Sequence, residues 1–332
     1  MGLKLSFALG MLWYLVHQGF LTRESVQTLV QFKTLPFVLL AGFSFLFSVV
    51  LSAVRLMNLL HLIELSMSFW QSVKLIFIGF FFNLVLPGVV GGDVVKGFYL
   101  MKTEQQHKGR STGIVVLDRL FGVLALMSLG VVAILYLFHR YRATLSTEYS
   151  HIIFPLFGVI GVAFLLSFSL LTFGNNGKIR HKLRTWLTAM FRQGIVYNMI
   201  ESIGILVKSP WVVLWSFFLS LCIHLASLTG LLLLARMVGS PLPDAMTLLA
   251  LFALILLGGI IPVTPGNVGW TELLASHSLL ALGSSAGAAI FLYWRVITGL
   301  CSLPGGLLYL LTAKAEKPSL ARQRIPAESN LL

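Results

Sequence analysis

The sequence predicts an all-α polytopic membrane protein with six full transmembrane helices and two opposed re-entrant helical hairpins. Composition, the length of the apolar runs and the division of basic residues between loops carry that prediction. Hydrophobic residues make up 57% of the 332 and charged residues 11%, with a mean hydropathy of +0.91. A soluble domain carries about a quarter charged residues. The apolar runs are continuous and long enough to cross about 30 Å of hydrocarbon. They lack the two-residue alternation of barrel strands, which leaves helices as the only structure able to satisfy the backbone in lipid.

Full spans are predicted over 2–20, 35–57, 112–138, 152–172, 210–236 and 287–312. The first carries one lysine ahead of its apolar run and has no small-x-small cleavage site after it, so it reads as an uncleaved span. Two other apolar regions, 73–100 and 245–283, are interrupted by LPGVVGGD at 86–93 and PVTPGNVG at 262–269. Proline removes a backbone donor and glycine loosens the helix, so the chain turns at these clusters. The halves that remain would be roughly 15–25 Å long, too short to cross. A hairpin entering and leaving from the same face is the economical solution, because irregular backbone at membrane depth survives only against protein or a water-filled cavity. Residues 1–312 therefore read as one membrane domain, and 313–332, with two prolines and mixed charge, as a disordered cytoplasmic tail. The loop 174–209 contains KIRHKLRTW, which suits either an amphipathic helix on anionic headgroups or an ordinary basic loop.

The charges test this arrangement. With the N-terminus inside, the inner regions hold sixteen Lys and Arg: Lys4, Arg55, Lys74, Lys102, Lys108, Arg110, Lys178, Arg180, Lys182, Arg184, Arg192, Lys208, Lys314, Lys317, Arg322 and Arg324. The outer loops hold five: Arg23, Lys33, Arg140, Arg142 and Arg236. That bias is the one the positive-inside rule requires. It predicts a multi-pass protein of the inner (plasma) membrane with both termini cytoplasmic. Two broken segments of opposite orientation, one in each half, point to an inverted-repeat transporter with its site near the midplane.

A net charge of +13 and a pI near 10 invite a nucleic-acid reading. The basic residues instead belong to cytoplasmic loops, and no nucleic-acid partner is expected. Cys222 and Cys301 lie within apolar runs and read as small core residues. No nucleotide loop, HExxH, GxSxG or Cys/His metal spacing occurs, so neither a catalytic residue nor a metal or cofactor is assigned.

Ionisable side chains at membrane depth cost about 2.5–3.5 kcal/mol each on insertion scales, which makes them functional candidates. They are Asp93, Lys96, Asp118, Arg119, Glu272 and Arg295. Asp93 and Lys96 share a helix face, whereas the adjacent Asp118 and Arg119 cannot face one another. Helices starting near Gly92–Asp93 and near Asn267–Val268 would aim free N–H groups at the membrane centre, where they attract anions. Asp93 as a cap would occupy such donors itself. Lys96, Arg119 and Arg295 would then supply positive charge for a phosphate headgroup. Asn83, one turn before Pro87, is placed to reach the broken backbone or to bond a neighbouring helix. His224 suits a proton shuttle or a buried neutral histidine. An internal salt-bridge network that pins the helices is the alternative for all the charges. The cost of each charge predicts that Asp93, Arg119, Glu272 and Arg295 gather around one central cavity.

NLVLPGVVGGDVVKGFYL resembles the signature of the lysylphosphatidylglycerol synthase transmembrane-region family, flippase-like membrane proteins. The match falls on Asn83, Pro87, Gly92, Asp93 and Lys96. VLDRLFGVLAL is similar to the family's acidic–Arg pair at Asp118 and Arg119, and YWRVIT to its arginine in the last span, Arg295. PVTPGNVGWTE resembles its Pro-rich turn at Pro262, Pro265, Gly266, Gly269 and Glu272. Lysine stands at 96 where arginine is usual, and Asn267–Val268 replaces a glycine-rich turn. The resemblance implies a lipid flippase or the membrane half of a lipid-modifying synthase, and a stand-alone member without the aminoacyl-transferase domain is expected. It makes membrane lipids with anionic headgroups, phospholipid or polyprenyl-phosphate, the partners. A homodimer or a cytoplasmic enzyme recruited by the basic loop are further candidates. The competing class is a membrane transferase with Asp93, Asp118 or Glu272 as base.

Overall fold

The computed structural model describes residues 31–85, 91–103, 108–141, 209–238, 241–261 and 263–322, with four isolated positions before them. Among these residues there are eight α-helices and no strand. Four are long: α1 (Leu35–His61), α4 (Lys108–Arg140), α5 (Pro210–Met237) and α8 (Gly287–Arg322). Their apolar stretches of 26–28 residues are long and apolar enough to cross a membrane. They correspond to the predicted spans at 35–57, 112–138, 210–236 and 287–312. The predicted spans at 2–20 and 152–172, and the loop 174–209, lie outside the described residues. The last helix runs to Arg322, ten residues into the predicted tail.

Four helices are short. In the first broken region lie α2 (Phe69–Val85) and α3 (Gly91–Thr103), and in the second α6 (Ala245–Gly258) and α7 (Trp270–Leu280). The longest has 17 residues, about 25 Å of helix, which falls short of the hydrocarbon thickness. The breaks coincide with the predicted Pro/Gly clusters. A single 3-10 turn, Pro265–Asn267, follows α6. Asp244 caps the start of α6, accepting from the backbone of Met246 and Thr247. The Thr247 hydroxyl bond, first among several hydrogen bonds, holds the Asp244 carboxyl below the usual carboxylate range.

Helix α1 runs antiparallel to α5 and α4 antiparallel to α6, whereas α4 and α5 run parallel. Between α1 and α5, Ser44 Oγ donates to the Ala226 carbonyl and Arg55 Nη1 to Ser220 Oγ. Between α4 and α6, Tyr136 bonds Asp244 and Tyr141 lies against Thr247. The last helix orders the rest. Gly287 meets the Ala275 carbonyl of α7, Arg295 meets Glu272, Gly299 meets Leu84 of α2, Gly305 meets the Phe77 carbonyl, and Tyr309 meets Phe82 and Tyr99. Thus α7 lies along the first part of α8, and the α2–α3 pair lies along its second part. The two short pairs approach α8 from opposite ends. Glycine makes the closest approaches possible: a Cβ on Gly305 would stand 2.1 Å from the Phe77 carbonyl oxygen.

The buried apolar residues form two clusters. One gathers α5, α6, α7 and the start of α8 around Leu231, Phe252, Leu279 and Ile290. The other gathers α1, α2, α3 and α4 around Leu56, Ile76, Leu100 and Phe121. Trp294 and Cys301 border both clusters. Arg55, counted with the inner loop from sequence, lies buried in the body of α1. The physical reason is a carboxylate partner, Asp118, on α4. The inner-to-outer count becomes fifteen to five, and its sign is unchanged.

Candidate functional site

The membrane-depth charges form three ion-paired groups. The first is built on the start of α3. Asp93 sits in the first turn of that helix, where a carboxylate is favoured by the helix dipole. Asn83, near the end of α2, accepts from the Gly92 backbone N–H at 2.8 Å through Oδ1. It thereby caps the broken backbone. A Cβ at Gly92 would fall 2.0 Å from the Gly79 carbonyl oxygen, so only glycine lets α3 start this close to α2. Asp93 pairs with two cations: Arg119 Nε donates to Oδ2, and Lys96 Nζ lies 3.2 Å from Oδ1. Oδ1 itself is buried and outside hydrogen-bond geometry. One carboxylate thus stands between two cations. Asp93 and Lys96 are buried, but 40% of the Arg119 side chain remains exposed.

The second group locks the PGNVG turn. Gly266, Asn267 and Gly269 all have positive φ, at 58°, 56° and 81°. Glycine takes that conformation without steric cost, and asparagine tolerates it better than most residues. Glu272, fully buried, accepts from the Gly269 backbone N–H at 2.9 Å and from Thr271 Oγ1 at 3.1 Å. Arg295 reaches over from α8. Its Nε donates to Glu272 Oε1 at 2.5 Å and its Nη1 to the Gly266 carbonyl at 2.6 Å. Its Nη2 serves the Asn267 carbonyl at 2.8 Å, Thr271 Oγ1 at 2.9 Å and Glu272 Oε2 at 3.1 Å. Every nitrogen of this guanidinium is engaged. Asn267 Nδ2 donates to the Gly259 carbonyl, and Trp270 Nε1 donates to that of Gly258 at 3.0 Å.

The third group joins α1, α4 and α5. Arg55 Nε donates to Asp118 Oδ1 at 2.8 Å and Arg55 Nη1 to Ser220 Oγ at 2.7 Å. His224 Nε2 lies 2.9 Å from the Gly122 carbonyl oxygen.

Asp93, Arg119, Glu272 and Arg295 thus belong to two groups. The PGNVG turn lies against the end of α2, since a Cβ on Gly266 would stand 3.8 Å from the Asn83 carbonyl oxygen. Asp118 and Arg119 serve separate partners, as adjacent helical residues must. Pro87 and Pro262 lie outside the described residues, and Pro265 opens the 3-10 turn. Arg55 is the membrane-depth charge that sequence reasoning missed. Its signal was the spacing Ser44, Ser48, Ser52, Arg55, a polar stripe on one face of an apolar helix, and all four are buried.

Long apolar helices, short helices on either side of the Pro/Gly clusters and ion pairs buried between them define an integral membrane protein of the helical class. The model of the lysylphosphatidylglycerol synthase TM region matches residues 1–305, and the chain belongs to that family. A UPF0104 membrane protein of Methanocaldococcus jannaschii is 23% identical over 307 residues, covering 88% of this chain and 87% of that protein. No solved structure matches the chain.

Proposed function

We propose that the protein moves an anionic lipid between the leaflets of the membrane that holds it, with Arg119 and Lys96 receiving the headgroup. The observation that carries this reading is the cluster around Asp93: two cations meet at one carboxylate, and the Arg119 side chain keeps an exposed part. Cationic side chains at membrane depth are costly, and a visiting anion offsets that cost. Arginine binds a phosphate oxygen pair through its planar fork, whereas lysine acts as a point charge. On this reading Arg295 is a structural clamp, because its donors are spent on Glu272 and the turn.

The two pairs of short helices, α2–α3 and α6–α7, enter the bilayer from opposite faces as hairpins that meet near its middle. Their opposite approach along α8, and the contact of Asn83 with Gly266, support that placement. Exposed Trp70 and Trp211 open α2 and α5, at the end where α1 finishes. Tryptophans in such positions favour the headgroup level. With the fifteen-to-five distribution of basic residues, that end is cytoplasmic, in the inner membrane of the cell.

The test uses purified protein in liposomes carrying a fluorescent phosphatidylglycerol that dithionite bleaches only in the outer leaflet. Wild type should expose inner-leaflet label, and Arg119→Ala should slow exposure at least several-fold at an unchanged unfolding temperature. Arg119→Lys should recover part of the rate. Wild-type exposure in Arg119→Ala would sink the assignment. A covalently altered lipid would favour the transferase class.

A further inference from the structure

We infer that Arg55, Asp118, Ser220 and His224 form a proton-binding site, with His224 as the acceptor, that couples proton entry to lipid movement. The coupling rests on the translocase reading above, whereas the binding of the proton does not.

Asp118 and Gly122 are four residues apart on one face of α4, and Ser220 and His224 hold the same spacing on α5. Arg55, from α1, lies across both, bonded to Asp118 and Ser220. A Cβ on Gly122 would stand 3.8 Å from Arg55 Nη1, so the guanidinium lies beside the turn whose carbonyl His224 contacts. A carbonyl only accepts, so Nε2 carries the imidazole hydrogen. The lone pair of the neutral ring is therefore on Nδ1. The group at rest is a closed Arg–Asp pair beside a neutral base.

A proton taken up at Nδ1 changes that balance. A second cation then stands beside the Arg55 guanidinium in surroundings where charge is poorly screened. Among the described residues, the helices packed against α5 offer His224 no second acid. From α1 comes Arg55, and from α4 comes Asp118, with Arg119 committed to Asp93. The body of α6 carries no charge, and Arg295 of α8 is committed to Glu272. On α5 itself, Cys222 is half-buried. Arg55 is thus the group that must respond, and repulsion of its guanidinium loosens its ties to Ser220 of α5 and to Asp118 of α4. The same α4 carries Arg119, the proposed headgroup contact, one residue on.

A separate observation supplies a way in. Asn58 Nδ2 and Ser216 Oγ are buried without a hydrogen-bond partner. Asn58 lies one turn beyond Arg55 on α1, and Ser216 one turn before Ser220 on α5. Because α1 and α5 are antiparallel, both orphaned atoms lie toward the same end of the bundle. Ser72 Oγ, near the start of α2, is orphaned as well. Buried polar atoms of this kind are ordinarily satisfied by ordered water. A short water file from the end where α1 finishes would carry protons to the site.

Two measurements test the proposal on the full chain. In detergent, histidine-labelled protein is titrated by 15N NMR, with the His224 signal assigned by His224→Gln, or by His224→Asn if the first variant does not fold. In liposomes, leaflet exchange is followed under imposed pH gradients. The expected result is that the His224 ring gains a proton within the pH range in which the protein stays folded. Wild-type exchange should change several-fold with the direction of the gradient, and His224→Gln, which retains a donor for Gly122, should lose that response. A ring that stays neutral throughout, or a variant that keeps the wild-type gradient response, overturns the proposal. A titrating ring in a protein that moves no lipid under any gradient overturns the translocase reading and leaves the proton site standing.

Discussion

Replacing Arg295 by alanine separates a structural clamp from a headgroup site. In the intact protein Glu272 is fully buried, and its two oxygens accept from Arg295, Gly269 and Thr271. Removing the guanidinium leaves a buried carboxylate without its counter-charge, a loss of about 3–5 kcal/mol. The Gly266 and Asn267 carbonyls lose their donor too, at about 1 kcal/mol each where water does not replace it. These terms share partners and do not simply add, so the net expectation is a loss on the order of 5 kcal/mol. The double variant Glu272→Gln/Arg295→Gln removes both charges and should recover a large part of that stability. Thermal unfolding in detergent measures stability, and leaflet exchange in liposomes is run on the same preparations. Activity that returns with stability in the double variant identifies Arg295 as the clamp of the PGNVG turn. An Arg295→Ala protein that unfolds at the wild-type temperature would refute the reasoning, because water would then have to reach Glu272.

Two further outcomes follow from the packing and from the proposed topology. Gly305→Ala places a methyl 2.1 Å from the Phe77 carbonyl oxygen and must push α2 from α8. A loss of about 1–3 kcal/mol in thermal or denaturant unfolding is expected. Gly42→Ala is the control: its methyl meets Cys301 and Ile297 at 3.7 Å, ordinary contact. Helix propensity there should gain about 0.5–1 kcal/mol. In a background lacking Cys222 and Cys301, a cysteine at Ser66 should react with impermeant maleimide only from the cytoplasmic side, and one at Pro241 only from the opposite side. Labelling of both from one side would contradict the opposed hairpins.

The helical class and the positions of the breaks were legible in the sequence for a simple reason. Apolar length and Pro/Gly interruption act locally, and lipid admits few alternatives. The same holds for the Asp93–Lys96 pair, which helical spacing alone brings together. What the sequence concealed was partner choice. Arg55 lies near the end of an apolar run and reads as a loop charge until α4 brings Asp118 within 2.8 Å. Arg295 reads as an available cation until the left-handed turn at Gly266 and Asn267 presents its carbonyls. Both depend on contacts across tens of residues, which neither periodicity nor motif spacing encodes.

The adjacency of Asp118 and Arg119 has a mechanical consequence. Consecutive residues on a helix point about 100° apart, and here each is bolted to a different neighbour: Asp118 to α1 through Arg55, Arg119 to α3 through Asp93. The stiff rod between them has almost no slack, so twisting it to relax one bolt loads the other. Any ligand that loosens one joint changes the work needed to loosen the second. Linkage makes that change equal in both directions.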